Sequence, residues 1–424
     1  MVIASIDIQG AQVVQLRRGS ELALRREDGG ALAKEFDRFG EVAVIDLDAA
    51  MGRGSNFEMI KPLLRIADCR VGGGIRTVEQ AVELVSLGAK KIIVGSVAFR
   101  VGQTFALNKE FLGALANRIG RERIIVAVDA RDDRIVVDGW RTPTGLNLTE
   151  TARLVEKYAG ELLFTAVEKE GMMGGADIDA VKKLRGAVSC LLTAAGGVST
   201  LGEIETIASL DCDVQLGMAL YTGKISLADA FAVSLNWKKA ADGLLPLIAQ
   251  SSDGQVLMTG FTDKEALLET FRHGNVCFHS RTRNCLWMKG ESSGNTMKLL
   301  RMRTDCDRDA LLAVVEPRGP VCHTGAWSCF ETDRRYTPQF LQEIINERLR
   351  TAPAGSYTAS LTDERVRRKI MEEAYEVCTA KNKNEFVWEA ADLIYHTLTL
   401  LSKENVCIDE VLDELDRRHK KSGH

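Results

Sequence analysis

One short region of the sequence holds an unusually dense set of side chains that can bind metal ions. It offers three carboxylates, three thiols and an imidazole, namely Asp305, Cys306, Asp307, Asp309, Cys322, His323 and Cys329. Thiolates are ligands that suit zinc and carboxylates are ligands that suit magnesium. Three protein ligands leave the fourth position of a zinc ion open, as hydrolytic zinc sites require. The alternative is a buried Cys306 with unrelated loop thiols, because no CxxC pair is present.

The segments around these ligands closely resemble the phosphoribosyl-AMP cyclohydrolases of histidine biosynthesis. The matching motifs lie at residues 280–283, 286–295 and 319–325, and the resemblance runs from about Asp253 to Phe330. It implies a zinc- and magnesium-dependent hydrolase that opens the adenine ring of phosphoribosyl-AMP between N1 and C6. It also implies zinc ligands at Cys306, Cys322 and Cys329, magnesium ligands at Asp305, Asp307 and Asp309, and a zinc site that lies across a dimer interface.

The same region contains candidates for proton transfer and for phosphate binding. His323 follows the ligand Cys322 directly, so we expect it to carry a proton near the zinc; the alternative is a packing histidine that orients the ligand. The phosphate-binding candidates are Arg281, Arg283, Lys289, Ser292, Ser293 and Gly294, and their alternative is an ordinary basic strand pair and turn. A purely structural zinc, as in a binding module, is the competing class of function.

Composition indicates a multidomain cytoplasmic enzyme. The chain has 424 residues and a net charge of −4 without a long basic run, which predicts two to four domains and disfavours nucleic-acid or anionic-membrane partners. The first residues read as a strand without a basic leader, and no apolar run reaches the ~20 residues of a membrane span. Ten scattered cysteines are typical of reduced thiols.

The first 225 or so residues contain an internal repeat. Asp7 and Asp129 each end an apolar run and lie 122 positions apart, and the Gly73-Gly74 turn recurs as Gly196-Gly197 at an offset of 123. Fixed-period self-similarity marks a repeated architecture. Apolar runs alternate with helical segments between these landmarks, so the sequence predicts a (βα)8 barrel with four units in each half.

The repeated landmarks also predict a site at the barrel mouth. Glycine turns between a strand and a helix can hold a phosphate on backbone N–H groups, so the two turns predict a substrate with a phosphate at each end. The predicted phosphate-binding residues here are Gly73, Gly74, Arg76, Gly196 and Gly197. Asp7 and Asp129, at symmetric strand ends on one face, would then act as acid and base between the phosphates.

Residues 127–132, 138–140, 71–76 and 195–199 resemble the isomerase of the same pathway, which converts the aminoaldose ProFAR to its aminoketose. The sequence departs from that family at Ala166, Lys169 and Glu170, where a Thr-Asp pair and Arg-Asp-Gly are usual, and at residues 18–20. A lysine lacks the bidentate geometry of arginine toward phosphate. We therefore predict a barrel that binds the bis-phosphate substrate, with a catalytically dead barrel kept for structure or dimerisation as the alternative.

The C-terminal segment is predicted to be helical and to hold a second magnesium site. Its carboxylates recur at i,i+3 and i,i+4 in two segments: Glu372, Glu373, Glu376, Glu389 and Asp392. Carboxylates from two antiparallel helices can converge on magnesium; either pair alone would read as a solvated helix face. Residues 338–420 resemble phosphoribosyl-ATP pyrophosphohydrolase, which implies magnesium-assisted release of pyrophosphate; a helical dimerisation module is the alternative. We interpret His396 as a helix-packing residue.

The sequence thus predicts three domains that run in reverse of the reaction order. The expected boundaries are 1–235 for the (βα)8 barrel, 236–335 for an α+β, mainly β, cyclohydrolase domain and 336–424 for an all-α helical domain. Expected cofactors are Zn²⁺ and Mg²⁺. Expected partners are phosphoribosyl nucleotides and a second copy of the chain.

Overall fold

The computed structural model describes residues 1–17, 21–240 and 242–422, and within them eight parallel strands close into a barrel. The last strand pairs with the first, with Val2 opposite Val214. The strands of this region are β1 Val2–Gln9, β2 Gln12–Arg17, β3 Glu21–Arg26, β4 Val42–Asp46, β5 Cys69–Gly72, β6 Lys91–Val94, β7 Arg100–Val101, β8 Thr104–Phe105, β9 Ile124–Ala127, β10 Ala130–Arg131, β11 Arg134–Val137, β12 Thr142–Asn147, β13 Glu161–Thr165, β14 Leu191–Ala195 and β15 Asp213–Leu216. Its helices are α1 Gly29–Asp37, α2 Leu47–Met51, α3 Phe57–Leu63, α4 Val78–Ser86, α5 Lys109–Ile119, α6 Leu148–Val155, α7 Ile178–Arg185, α8 Leu201–Ala208, α9 Met218–Tyr221 and α10 Leu227–Val233.

The barrel strands are β1, β4, β5, β6, β9, β13, β14 and β15, and they are apolar on both faces because helices cover the outside while side chains fill the inside. Strand β13 is buried along its whole length. Strand β1 continues two residues past Asp7, since Asp7 and Gln9 also pair antiparallel with β2. Asp7 therefore lies inside its strand, whereas Asp129 lies two residues beyond the end of β9.

The two halves of the barrel repeat each other in local geometry. In each half a threonine begins the helix after the glycine turn, and a side chain three residues later closes a capping box; the pairs are Thr77 with Gln80 and Thr200 with Glu203. Such boxes satisfy backbone N–H groups that the helix itself leaves unpaired. The repeat read from the sequence is thus present in the structure down to the helix caps.

The middle of the chain folds into a mainly β domain. Strands β16 Leu245–Ser251, β17 Val256–Thr262, β20 Met297–Thr304 and β21 Leu311–Pro317 form one sheet in the order β17-β16-β21-β20, while β18 Cys277–Ser280 and β19 Cys285–Met288 form a hairpin. Helix α11 Lys264–His273 lies against β18. Most of the buried apolar residues of this domain belong to the same continuous cluster as most of those of the barrel.

This middle domain packs against the amino-terminal ends of the barrel strands, opposite the mouth. Phe271 of α11 stacks on Phe39 of the barrel with ring centroids 4.5 Å apart. Arg301 of β20 lies 2.5 Å from the buried Asp37 at the end of α1, and Arg303 reaches Asp68 at 3.2 Å. The mouth of the barrel is therefore left uncovered by the middle domain.

The last part of the chain is helical and has a small core of its own. It comprises α12 Pro338–Thr351, α13 Tyr357–Ser360, α14 Asp363–Thr379, α15 Lys383–Lys403 and α16 Ile408–Ser422. Ile345, Val366 and Leu398 are buried, but they lie outside the cluster shared by the other two regions. The predicted fold class, a (βα)8 barrel followed by a mainly β domain and an all-α domain, is confirmed. Among the described helices, none combines the length and apolar character needed to cross a lipid bilayer.

Candidate active sites

The barrel mouth contains a cavity of about 430 Å³, and its lining includes Asp138 together with three acidic residues that lie close to one another. Asp7 and Asp129 come from the two repeats, and Glu170 comes from the loop after β13. Ser5 Oγ donates to Asp7 at 2.7 Å, and Trp140 Nε1 donates to Asp129 at 2.8 Å. The structure brings together the two predicted aspartates and a third acidic residue at the carboxyl ends of the strands, where barrel enzymes carry their active sites.

Burial changes the protonation of these three groups. It raises the pKa of Asp7 to about 6, with the Ser5 hydrogen bond opposing the shift. Burial also raises the pKa of Asp129, against the hydrogen bonds from Trp140 and Thr165. Burial, and then repulsion from Asp7 and Asp129, raises the pKa of Glu170 to about 7. The cavity can therefore hold both a protonated and an ionised carboxyl near neutral pH, as acid–base catalysis requires.

The predicted glycine turns lie on this cavity, and at these positions only glycine fits. Gly73 has a φ of +95° and Gly196 a φ of +93°. A Cβ on Gly73 would lie 2.1 Å from the Asp46 carbonyl oxygen, and one on Gly196 would lie 2.8 Å from the Ala166 carbonyl oxygen. Gly74 and Gly197 complete the two turns in the cavity wall. Close approach of two backbone segments thus fixes both turns, and each leads into a capped helix N-terminus.

Two basic side chains at the mouth, those of Arg76 and Lys169, form hydrogen bonds to backbone carbonyls of the loops. The Arg76 guanidinium donates to the carbonyl oxygens of Ala49 at 2.9 Å and Gly74 at 3.3 Å. Lys169 Nζ donates to the Ala176 carbonyl at 3.1 Å. Ala166, where the resemblance expects an aspartate, is buried in the hydrophobic core, and within the described part of the chain it is not one of the residues that line the cavity. Residues 18–20, the other departure, lie outside the described residues.

Sequence reasoning missed the role that geometry gives to Glu170. It treated this glutamate as a departure from an aspartate, although the position keeps its negative charge and faces both repeat aspartates. Trp140 was read only as part of a motif, yet its indole N–H orients Asp129. The sequence signal for this role is that Glu170 keeps a negative charge five residues after Thr165, the last residue of β13.

In the middle domain two of the three predicted zinc ligands lie together. The thiols of Cys322 and Cys329 are close enough to influence each other's pKa. The hydroxyl of Thr324 donates to Cys322 at 3.1 Å and is the main cause that lowers the pKa of Cys322. Burial, and then the charge of Cys322, raise the pKa of Cys329. The buried Lys289 has its pKa lowered by burial, against the attraction of both thiols. Lys289 thus lies near both thiols, and it shares the Trp287 ring with Arg283, another phosphate-binding candidate.

The third predicted zinc ligand is not in this cluster. Cys306 is exposed, and among the described residues no set of three potential ligands within 4.8 Å of one another contains it. His323 Nδ1 lies 3.8 Å from Cys322 Sγ, close to the thiols. Of the three predicted zinc ligands, therefore, Cys322 and Cys329 form a thiol pair within one copy of the chain, with His323 beside it.

The predicted magnesium carboxylates of the middle domain do converge. Oxygen atoms of Asp305, Asp307 and Asp309 lie within 4.8 Å of one another. The ammonium of Lys239, which follows the barrel, pairs with Asp307 and lies 3.4 Å from Asp309. Asp305 accepts backbone N–H bonds from Asp309 at 3.0 Å and from residue 310 at 3.2 Å. The three oxygens fit a hard cation, and a lysine balances part of their charge.

The remaining phosphate-binding candidates of this domain lie on exposed turns. The Arg281 guanidinium stacks on Phe261 at 3.8 Å from the ring centroid, and Arg283 lies over Trp287 at 5.7 Å. Ser292, Ser293 and Gly294 form an exposed turn. The following Asn295 donates to the Pro320 carbonyl at 2.9 Å and so connects this turn to the loop of Cys322.

The five predicted carboxylates of the helical domain meet between α14 and α15. Glu372, Glu373 and Glu376 form one set with oxygens within 4.8 Å of one another, and Glu373, Glu389 and Asp392 form a second, so the buried Glu373 belongs to both. Burial and repulsion from Glu376 and Glu373 raise the pKa of Glu389. Repulsion of this kind favours binding of a cation among the five side chains.

Two basic residues accompany this cluster. Lys369 Nζ donates to Glu372 at 2.9 Å and to Glu373 at 3.2 Å, and these two hydrogen bonds raise its pKa. His396 is buried with its Nε2 3.9 Å from Glu373, and its ring packs edge-on against Tyr395 and Tyr357. These contacts are of the packing kind that the sequence suggested for His396.

Comparison with known proteins identifies all three regions. Family models match residues 1–226 (Histidine biosynthesis protein), 258–331 (Phosphoribosyl-AMP cyclohydrolase) and 339–419 (Phosphoribosyl-ATP pyrophosphohydrolase). A histidine biosynthesis bifunctional protein HisIE from Vibrio vulnificus (strain CMCP6) is 41% identical over 215 residues, which cover 48% of this chain and 100% of that protein. The proteins of the same name from Bacillus subtilis (44% over 193 residues, 42% of this chain and 92% of the relative) and Pyrococcus furiosus (40% over 201 residues, 44% and 96%) are also similar.

The fold and the order of these matches define a multidomain enzyme of histidine biosynthesis. The chain belongs to the histidine biosynthesis protein family through its barrel, and to the bifunctional HisIE family through the residues that follow. It is accordingly a bifunctional hydrolase with cyclohydrolase and pyrophosphohydrolase domains. The predicted succession of three families is confirmed.

Proposed function

We propose that the helical domain, residues 336–424, hydrolyses phosphoribosyl-ATP to phosphoribosyl-AMP and pyrophosphate with magnesium among its five carboxylates. The observation that carries this proposal is the convergence of two carboxylate sets on the buried Glu373. Magnesium would neutralise the phosphate chain and orient the attacking water. Glu373 and its neighbours would hold the cation, and Lys369 pairs with two of these carboxylates, Glu372 and Glu373.

The pyrophosphohydrolase assignment is tested by pyrophosphate release. Chelation should abolish release from phosphoribosyl-ATP and added Mg²⁺ should restore it, while Glu373→Gln should remove it under all conditions. Glu347→Gln, the same chemical change at an exposed position of α12, is the matched control. A helical dimerisation module is the competing function, and release that survives Glu373→Gln would favour it.

The proposal for residues 236–335 is a zinc-dependent opening of the adenine ring of phosphoribosyl-AMP to ProFAR. Zinc bound to the thiols would activate water for attack on C6. His323, 3.8 Å from Cys322, is placed to move a proton at that position, and Asp305, Asp307 and Asp309 would hold magnesium. Arg281, Arg283, Lys289 and the turn at Ser292, Ser293 and Gly294 remain predicted phosphate-binding residues.

We further propose that the zinc site is completed by a second copy of the chain. Cys322 and Cys329 pair within one copy while Cys306 stands apart and exposed, as expected if Cys306 serves the partner's thiol pair. Exposed apolar side chains on α14 and α15 offer additional surface for a homodimer: Met371, Tyr375, Val387, Trp388 and Ile394.

Subunit complementation tests this shared site. Cys306→Ser and Cys322→Ser should each abolish cyclohydrolase activity and zinc binding when alone. Coexpression of the two variants should restore about a quarter to a half of the sites, because a mixed dimer contains one intact set of ligands. If no activity returns in mixed dimers shown to form by mass, a site within one copy is supported. Cyclohydrolase turnover that survives Cys322→Ser, with only thermal stability lost, would make zinc purely structural.

For the barrel, residues 1–235, we propose isomerisation of ProFAR between the two glycine turns, with Asp7 and Asp129 as acid and base. The cavity and its raised carboxyl pKa values support this activity. The alternative, a dead barrel kept for structure, is supported by its contacts with the middle domain. Full-length chain supplied with ProFAR should form the ketose, and Asp129→Asn should stop it; absence of turnover with both hydrolases intact would favour the structural barrel.

The cytoplasmic location stays a prediction.

A further inference from the structure

The loop that carries the proposed magnesium carboxylates of the cyclohydrolase is fastened to the barrel by the arginine in its middle. Arg308 lies between Asp307 and Asp309, and its side chain is only 12% exposed. Its guanidinium lies 3.5 Å from the Asp213 carboxylate at the start of β15 and donates to the Ala208 carbonyl at the end of α8 at 3.3 Å. Arg308 therefore joins the metal loop to the amino-terminal end of the barrel.

The backbone of the same loop is fastened from the other side. Asn236, in the segment that leaves the barrel, donates its backbone N–H to the Arg308 carbonyl at 2.9 Å and its side-chain amide to the Asp307 carbonyl at 3.4 Å. Asp213 is in turn paired with the N-terminal ammonium of Met1. Contacts from the last strand of the barrel, from the helix before it and from the linker thus meet at one arginine.

The loop needs such support because its conformation is unfavourable. Arg308 has a φ of +62°, a left-handed conformation that costs a non-glycine residue about 1–2 kcal/mol. Such a conformation persists only where the surroundings hold it. In return it allows the carboxylates on either side, Asp307 and Asp309, to lie near Asp305, whose oxygen binds the Asp309 N–H.

We propose that Arg308 is a positioning residue through which the barrel fixes the three carboxylates in the geometry that binds the divalent cation. This inference rests on the proposed magnesium site, but it assigns the barrel a role in the hydrolase that is independent of isomerisation. Arg308 itself does not bind the cation. Its guanidinium is used by Asp213 and Ala208, and only its backbone belongs to the metal loop.

The direction in which metal affinity changes distinguishes a positioning role of Arg308 from a purely electrostatic one. Removing a cation beside a metal site strengthens metal binding by electrostatics, since Arg308 repels a divalent ion. Loss of a residue that orients metal ligands weakens binding, typically by about 10–100-fold. The Arg308→Ala variant is therefore expected to bind the metal more weakly, although it has lost a positive charge.

The experiment measures Mn²⁺ binding to the full chain by electron paramagnetic resonance, in zinc-loaded protein that carries Glu373→Gln to remove the helical site. Arg308→Ala should raise the dissociation constant about tenfold or more. Arg308→Lys, which keeps the charge toward Asp213, should recover part of the loss. Arg272→Ala, which removes an exposed arginine of α11, is the control and should leave the constant unchanged.

Two results distinguish failure of this inference from failure of the proposed function. If Asp309→Asn leaves Mn²⁺ binding intact, the carboxylates are not the site and the proposed function is wrong. If Asp309→Asn removes binding while Arg308→Ala binds Mn²⁺ as well as the parent or better, the site stands and the positioning role is overturned. A lower melting temperature of Arg308→Ala with an unchanged dissociation constant also overturns it, because the contact then only stabilises the interface.

Discussion

The barrel mouth and the helical domain both gather acidic side chains, but they relieve the repulsion between them in opposite ways. In the barrel, burial raises the pKa of the carboxyls, to about 6 for Asp7 and to about 7 for Glu170, and so disfavours their charged forms. In the helical domain most of the carboxylates are accessible, and a cation, Lys369, balances the charge of Glu372 and Glu373. The same residue types are therefore suited to proton transfer in one region and to cation binding in the other.

The largest expected effect concerns the cation site of the helical domain. Glu373→Gln removes the one carboxylate that both sets share, so pyrophosphate release should fall about 10³–10⁵-fold, since a bound metal contributes several kcal/mol to the transition state. The rate is measured with phosphoribosyl-ATP in saturating Mg²⁺, against Glu347→Gln. A rate within a factor of three of the parent protein would contradict a cation site centred on Glu373.

The next effect concerns the proton-transfer site of the barrel. Asp129→Asn keeps the shape of the side chain but removes its proton chemistry, so conversion of ProFAR to the ketose should fall about 10²–10⁴-fold. Asp179→Asn, at an exposed position of α7, is the control. Equal rates for the two variants would show that Asp129 is not part of the chemistry.

The pH dependence of stability offers a third test, on the barrel side. The pKa of Glu170 is raised from 4.5 in the unfolded chain to about 7, so its folded form binds a proton that its unfolded form releases. The free energy of unfolding is therefore highest below pH 4.5 and decreases as the pH rises through 7, by about 3 kcal/mol at most. Glu170→Gln should reduce the pH dependence of the urea unfolding of the full chain between pH 5 and pH 8.

The matched control for Glu170→Gln lies two residues away in the sequence. Glu168 is an exposed carboxylate of the same loop, and Glu168→Gln should leave the slope unchanged. If Glu170→Gln and the parent protein lose stability in parallel between pH 5 and pH 8, Glu170 is not held protonated in the folded state.

The smallest effect is expected where the barrel meets the middle domain. Lys239 pairs with Asp307 and approaches Asp309, so it competes with a divalent cation for these carboxylates. Exposed ion pairs contribute little, so Lys239→Gln should tighten Mn²⁺ binding only about two- to fivefold. The neighbouring exposed Lys238→Gln is the control, and weaker binding in Lys239→Gln would mean that the lysine supports the cation site.

Much of the fold could be predicted from the sequence because the signals were local and repeated. The offset shared by Asp7 and Asp129 and by the two glycine turns predicted the barrel, and the i,i+3 and i,i+4 spacing of acidic residues predicted the cluster between α14 and α15. Helical periodicity fixes which side chains share a face. Such patterns carry over into structure without knowledge of distant contacts.

The features that sequence reasoning missed all depend on distant contacts. Whether Glu170 faces Asp7 depends on the path of a loop. The contact of Arg308 with Asp213 joins residues that are 95 positions apart, across a domain interface. No local pattern encodes such contacts.

Counting bound Mn²⁺ ions per chain tests the central contrast between the two kinds of carboxylate cluster most directly. In zinc-loaded protein, Glu373→Gln should lose one or more bound ions relative to the parent chain, because Glu373 belongs to both sets of carboxylates between α14 and α15. Asp129→Asn should bind as many ions as the parent, because burial raises the pKa of the barrel carboxyls and so disfavours the charged forms that bind a cation. Loss of an ion in Asp129→Asn, or an unchanged count in Glu373→Gln, would contradict this account.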